Sequence, residues 1–206
     1  MIVVIDKDNR NEHRAALDQA YCLRHRIFVE EAGWEALRSP DGRERDRFDD
    51  EYAVEMLLYV GERLIGYQRM LPTTRPHLLT DIYPQLCDGE SPRGPNVYEW
   101  TRFAVDPVYR GDGTGLGLAG AELVLAYVEW GLTKGVDSVV VELAPSQMMK
   151  FVQCHFLPHP LGVVQTIDGR DTIALQAYFD ERTRDRLRQI VRQFDRRSEY
   201  TLKDLS

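Results

Sequence analysis

YEWTRFAVDPVYRGDGTGLG, from Tyr98 to Gly117, is the stretch around which the chain is organised. Tyr98, Trp100, Phe103 and Val105 mark the apolar positions of a strand, yet Glu99, Thr101 and Arg102 sit inside that pattern. Polar and charged side chains on a strand headed into a core are out of place unless they have partners. Pro107 has no N–H to donate and ends the ladder. Arg110-Gly111-Asp112-Gly113-Thr114-Gly115-Leu116-Gly117 follows, and a long apolar helix begins after it. A glycine-rich turn between strand and helix leaves backbone N–H groups at a helix N-terminus free for phosphate or another anion. It serves equally well as a plain tight connection.

Working back from this stretch, Arg63 to Leu71 and Tyr52 to Val60 read as two strands of a meander joined at Gly61-Glu62. Arg69 lies near the end of the second. Pro72 to Pro95 reads as a proline-rich connection with a short helical turn near Asp81 to Leu86. Ile2 to Ile5 reads as a first strand and Arg10 to Arg26 as a helix, striped by Ala16, Leu17, Ala20 and Leu23. Between them and the meander lies Phe28 to Glu51, a charged loop carrying Trp34 and Phe48 and the turn Pro40-Asp41-Gly42. A loop of that length in a compact domain is either functional or disordered, and two aromatics are costly to leave in water.

Working forward, the spacing predicts a helix over Leu116 to Lys134 closed by Gly135. A β-branched strand follows at Ser138 to Leu143, then a helix at Gln147 to His155. A hairpin about Asp168-Gly169 and a basic final helix from Arg182 to Arg197 close the chain, with a frayed tail beyond. The order strand, helix, strands, helix, strand, helix, strands is that of one α/β domain of α+β type over residues 1–206. Its sheet is mixed, mostly antiparallel and flanked by helices, and it is not doubly wound.

Whole-chain properties narrow the function. A length of 206 residues, 43% hydrophobic and 29% charged, suits one soluble globular core. A formal charge of −7 argues against a nucleic-acid partner. MIVVIDKDNR meets an acid by Asp6, which predicts no signal peptide, and no run is apolar enough to predict a membrane span. Cys22, Cys87 and Cys154 are odd in number and widely spaced, as expected of reduced thiols in a cytoplasmic protein and not of metal ligands.

The residues resemble those of the LuxI-type acyl-homoserine lactone synthases, which share the fold of the GCN5-related N-acyltransferases. Arg24, Phe28 and Trp34 match the family's R-x-x-x-F-x-x-x-x-x-W pattern, and Asp46 and Asp49 its D-x-x-D pair. Arg69 matches its meander arginine, and Glu99 and Arg102 its E-x-x-R strand motif. Tyr83 stands where Phe is usual and Thr101 where Ser is frequent. The segment Arg38 to Glu44 and the P-T-T-x-P-x-L-L stretch from Pro72 are similar to a branch whose members use acyl-CoA; other members use acyl-acyl carrier protein.

The resemblance implies two substrates and no cofactor or metal. The amine of S-adenosylmethionine attacks an acyl thioester, and the substrate carboxylate then displaces the sulfonium. The lactone closes and methylthioadenosine leaves. Glu99 is the candidate base, directly or through one water; alternatively it only holds Arg102. Arg102 grips the substrate carboxylate or pairs with Asp46. Trp34 faces the sulfonium, or with Phe28 anchors the loop. Arg24, Asp46, Asp49 and Arg69 hold substrate or form an ion-pair network pinning the loop. Tyr83, Thr101 and Phe103 complete the S-adenosylmethionine side. Arg110, Gly111 and Gly113 belong to the donor's phosphate cradle, and Val141, Glu142, Met148 and Met149 to the acyl-chain wall. The basic helix with Arg182, Arg184, Arg186, Arg188 and Arg192 is either a solvated face or a docking site for an acidic carrier. The alternatives are a GCN5-related N-acyltransferase acting on another amine with acyl-CoA, and an inactive binding protein.

Overall fold

The computed structural model describes residues 1–111 and 115–203, with side chains described through residue 194. The strands are β1 (Ile2–Ile5), β2 (Val54–Val60), β3 (Arg63–Pro72), β4 (Val97–Val105), β5 (Ser138–Leu143), β6 (Leu157–Pro160), β7 (Gln165–Ile167) and β8 (Arg170–Tyr178). The α-helices are α1 (Arg14–Arg24), α2 (Leu78–Asp81), α3 (Gly117–Lys134), α4 (Met148–Gln153) and α5 (Glu181–Lys203). Strand order across the sheet is β1-β2-β3-β4-β5-β8-β6, with β7 paired to β8. All these pairings are antiparallel except β4 with β5, which is parallel. The expected mixed, mostly antiparallel sheet is therefore what forms.

Alternation of side chains divides the core between the two faces. Trp100, Val139 and Val141 pack with Val124, Tyr127 and Val128 of α3 and with Phe151 and Leu187 of α4 and α5. Val97 and Val140 turn the other way, onto Leu79 of α2 and Leu86. Leu57 and Tyr67 on that second face meet Leu17, Ala20 and Leu23 of α1. Gly135 closes α3 in the left-handed conformation, φ 72°, as a helix C-terminus favours.

The central strand carries the irregularity that matters. Tyr67 of β3 pairs with Ala104 and Arg69 with Thr101, so Arg102 and Phe103 together oppose Gln68. This is a β-bulge, and Arg102 takes φ 55° to make it. A bulge re-aims the side chains that follow it. On the other edge, β4 pairs with β5 only at Val97↔Ser138, Tyr98↔Val139 and Glu99↔Val140. Both strands continue past that last rung, so they fork, and their facing edges no longer bond each other.

Several elements differ from the sequence reading. Helix α1 starts at Arg14 and not at Arg10, because Asp6 and Asn9 fold the chain into turns: Asn9 Oδ1 accepts from the Asp6 N–H at 2.9 Å. Arg10 instead reaches Glu55 at 2.9 Å. Past Arg24, His25–Glu31 winds as a π-helix. The helical turn expected near Asp81 to Leu86 forms as a 3₁₀ turn at Pro84–Leu86, and α2 at Leu78–Asp81 precedes it. Helix α4 is shorter than expected at both ends, and α5 runs on to Lys203, past Arg197. Residues 204–206, the end of the expected frayed tail, lie outside the described residues. Strand β6 has no counterpart in the sequence reading, since its two prolines, Pro158 and Pro160, demote it to an edge.

Candidate active site

The long charged loop is ordered, and a buried ionic network orders it. Arg24 leaves the end of α1 fully buried, donating from Nε to Glu44 at 2.5 Å and to both Asp49 oxygens at 2.6 and 3.0 Å. Arg69 on β3 is also fully buried and grips both Asp46 oxygens, at 2.7 and 3.0 Å, and Asp49 at 2.5 Å. Its Nε donates to Thr101 Oγ1 at 3.0 Å. Arg102, aimed by the bulge, reaches Glu44 at 3.1 Å and Asp46 at 2.9 Å. The D-x-x-D turn holds itself as well: Asp49 accepts from the Asp46 N–H at 2.8 Å and Asp46 from the Phe48 N–H at 2.8 Å. Tyr67, Glu55 and Arg10 extend the network along β2 and β3, with Tyr67 donating to Glu55 at 2.9 Å.

Charges so deep require such pairing, because an unpartnered buried ion costs several kcal/mol. Burial pushes the Asp49 carboxyl up, and Arg69 and Arg24 outweigh it to hold it well below the carboxylate range. Burial and then Arg69 act likewise on Asp46, whose carboxyl is also lowered. Glu55 goes the other way: burial raises it more than Arg10 lowers it. The four guanidinium groups of Arg10, Arg24, Arg69 and Arg102 are matched by Glu44, Asp46, Asp49 and Glu55.

Two aromatics cover this network. Trp34 stacks on Phe28, 5.1 Å between centroids, and Phe28 projects from the π-helix. The Arg102 guanidinium lies 5.8 Å from the Phe28 ring and 6.0 Å from the Trp34 ring. Arg170, from the β7–β8 hairpin, lies 5.5 Å from the Trp34 ring and also bonds the Ala32 carbonyl. Trp34 keeps 36% of its surface accessible.

Glu99 shares a face with Thr101 but does not touch Arg102, which removes the expectation that it merely holds that arginine. Its carboxylate is sealed at the start of α2. Oε2 accepts from the Leu78 N–H at 2.9 Å, and Oε1 accepts from the Leu79 N–H at 2.6 Å and meets His77 Nδ1 at 2.9 Å. Glu142, two residues past the last β4–β5 rung, lies against Glu99 on the same face. Tyr83 packs beside them on Leu78 and Leu79. Burial raises its hydroxyl, and Arg102, Asp168 and Glu142 are the charges it feels.

The structure separates other candidates. Phe103 points across the sheet, edge-on to Trp100 and against Gly120 of α3, away from the ionic network. Val141 and Met148 do meet in the α3-side core, whereas Glu142 alternates to the opposite face and Met149 is exposed. Arg110 is engaged by Glu31 and by the Val105 carbonyl, the latter at 2.8 Å. Gly111 closes on Gly117, whose φ is +65° and where a Cβ would meet the Gly111 nitrogen at 2.6 Å. Gly113 lies outside the described residues. Near the described edge of that turn, a cavity of about 320 Å³ is lined by Gly115, Leu116, Lys150, Cys154, Arg186 and Phe194. The basic helix is partly committed, with Arg188 on Glu129 at 2.5 Å.

Sequence reasoning missed Glu44 and His77 as members of the site. Glu44 stands two residues before Asp46, the spacing that puts both on one side of an extended segment, and that was the one available signal. His77 carried none.

The profile of the family described as "Autoinducer synthase" matches residues 8–173. This chain belongs to the autoinducer synthase family. It is 34% identical over 186 residues to the isovaleryl-homoserine lactone synthase of Bradyrhizobium diazoefficiens, covering 90% of this chain and 83% of that protein. It is 33% identical to an acyl-homoserine-lactone synthase of Ralstonia nicotianae, covering 82% and 85%. The solved structure of a CoA-dependent acyl-homoserine lactone synthase, BjaI, with S-adenosylmethionine and isopentyl-CoA superposes with a TM-score of 0.87 at 33% identity, over 93% of this chain and 89% of that one. This autoinducer synthase is thus an acyltransferase of the acyl-homoserine lactone synthase type. Among the described residues, no helix is long and apolar enough to cross a membrane.

Proposed function

We propose that this autoinducer synthase acylates the amine of S-adenosylmethionine from acyl-CoA and then closes the homoserine lactone, working in the cytoplasm. The observation that carries this reading is the fork of β4 from β5 immediately beyond Glu99, beside the Arg102–Trp34 end of the ionic network. S-adenosylmethionine suits the network side. Its sulfonium takes the role beside the Trp34 ring that Arg102 and Arg170 now play as cations. Arg24, Asp49 and Arg69 are fully paired, so they pin the loop, whereas Arg102 and Asp46, at the accessible edge, are the members that reach substrate.

The thioester enters the fork, with its acyl chain toward Val141 and Met148. There the strand edges offer backbone N–H groups to the tetrahedral oxyanion. Glu99 has no free approach to the amine, so it acts as base only through a relay. Lactonisation is intramolecular and is governed by positioning. The CoA preference is supported by the similarity to BjaI, and the acyl carrier protein is the competing donor. Mass spectrometry of products from S-adenosylmethionine with parallel panels of acyl-CoA and acyl-carrier-protein thioesters tests the whole reading. Lactone with methylthioadenosine from CoA donors is the expected result. Lactone only from the carrier protein overturns the donor assignment, and no lactone from any donor overturns the function.

A further inference from the structure

Glu99 is a carboxylate with no vacancy. A carboxylate has about four acceptor positions, and this one serves the Leu78 N–H, the Leu79 N–H, His77 and Glu142. Glu142 is placed differently. It stands on β5 beyond the last rung with β4, at the mouth of the fork where the donor's reacting carbon is proposed to lie. As a residue it is only partly buried, while its Oε1 is sealed and has no partner among the described residues. Two carboxyl groups in contact do not both ionise, so one proton bridges the pair. Burial first, and Glu99 second, raise the Glu142 carboxyl well above the ordinary range, which assigns that proton to Glu142. The other groups facing the pair are His77, Tyr83, Cys87 and Arg102, with Asp88 and Asp168 farther out.

We propose that Glu142 is a further catalytic residue: the Glu99–Glu142 pair holds one proton, and Glu142 hands it to the departing thiolate. This rests on the acyl-transfer reading above. The balance closes within the pair. The free amine attacks the thioester carbonyl, forming a C–N bond and a tetrahedral adduct with a positively charged nitrogen. As the C–S bond breaks, its electron pair goes to sulfur, which takes the proton from Glu142. The doubly ionised pair then recovers one proton from the nitrogen. The net transfer is one proton from nitrogen to sulfur, giving amide and thiol, and the pair returns to its starting state. Glu99 is the fixed anion that makes Glu142 both hold and regain its proton.

The test is Glu142→Gln, whose amide still donates to Glu99 but cannot transfer a proton. With acyl-CoA, its turnover should fall about 100-fold, with KM for S-adenosylmethionine within about twofold of the wild type. With an aryl thioester of the same acyl group, whose thiolate leaves without needing a proton, most of that loss should disappear. Unchanged turnover, or an equal loss with both donors, overturns the proposal. If the variant does not fold, infrared spectroscopy of the wild type decides. A protonated buried carboxyl band at neutral pH that persists in Glu55→Gln, where the other carboxyl raised by burial is gone, supports the pair, and its absence overturns it. Wild-type enzyme that makes no lactone refutes the parent reading instead, so the two failures are distinguishable.

Discussion

Replacing Arg69 by Met isolates what the ionic network contributes. The substitution keeps the apolar stem on β3 and removes the guanidinium that spans Asp46 at 2.7 Å, Asp49 at 2.5 Å and Thr101 at 3.0 Å. Removing one partner of a buried pair costs about 3–5 kcal/mol, because the other charge is left uncompensated. Arg24 still holds Asp49 and Arg102 still holds Asp46, so the lower end of that range applies. At about 2–4 °C per kcal/mol for a chain of this length, the midpoint of thermal unfolding should drop by roughly 6–12 °C at neutral pH.

The pH dependence supplies a second, independent check. Asp46 and Asp49 have folded-state values below their unfolded ones. Their contribution is therefore complete above the unfolded value of about 3.9 and is lost as pH falls through the depressed folded values. The gap between wild type and Arg69→Met should accordingly narrow as the medium is acidified from about pH 5 toward about pH 2. Melts of both proteins across that range measure it. A neutral-pH loss below about 1 kcal/mol, or a gap that does not change with pH, would refute the view that these pairs pin the loop.

Other outcomes follow from the same geometry. Trp34→Ala removes a partly exposed ring whose main contact is Phe28. Titration calorimetry should show S-adenosylmethionine affinity reduced by about 1–2 kcal/mol, with little change in the melting midpoint; lost stability at unchanged affinity would make Trp34 an anchor. Glu99→Gln presents an amide where two backbone N–H groups and His77 need an acceptor. Turnover should collapse and stability should fall by about 1–3 kcal/mol, whereas a purely catalytic base would leave the melt unchanged. Arg110→Ala releases Glu31 and leaves the ionic network intact. If Arg110 serves donor phosphates, KM for acyl-CoA should rise with S-adenosylmethionine affinity preserved; if it only tethers the loop, the second quantity changes.

What could be read from the chain depended on whether the cause was local. Strands β1 and β5 and the Gly135 cap follow from short-range pattern, and they fall where continuous β-branched runs and glycine placed them. The charged quartet was legible only through its resemblance to the family's arginine and D-x-x-D pattern, and its burial and pairing are facts of the fold. The two-residue spacing from Asp46 was the one local signal at Glu44, and it did not mark that residue as the carboxylate shared by Arg24 and Arg102. The π-helix at His25–Glu31, the edge strand β6 and the pairing of His77 with Glu99 are products of tertiary contact. They leave no periodic trace.

The bulge at Arg102 is the clearest such product, and it explains why a strand headed into the core can carry so many polar residues. With regular pairing throughout β4, Glu99, Thr101 and Phe103 would share one face, and Trp100 and Arg102 the other. The doubled residue at Gln68 breaks that rule. Arg102 is brought to the same side as Thr101, among Glu44, Asp46 and Trp34, and Phe103 is sent back to α3. A non-glycine residue at φ 55° costs about 1–3 kcal/mol, and the two ion pairs that Arg102 gains there offset it. The same irregular segment begins where β4 and β5 part, just beyond Glu99. One inserted residue therefore gathers the charged side chains on one face, delivers an aromatic to the other, and coincides with the opening of the cleft between the strands that the thioester needs.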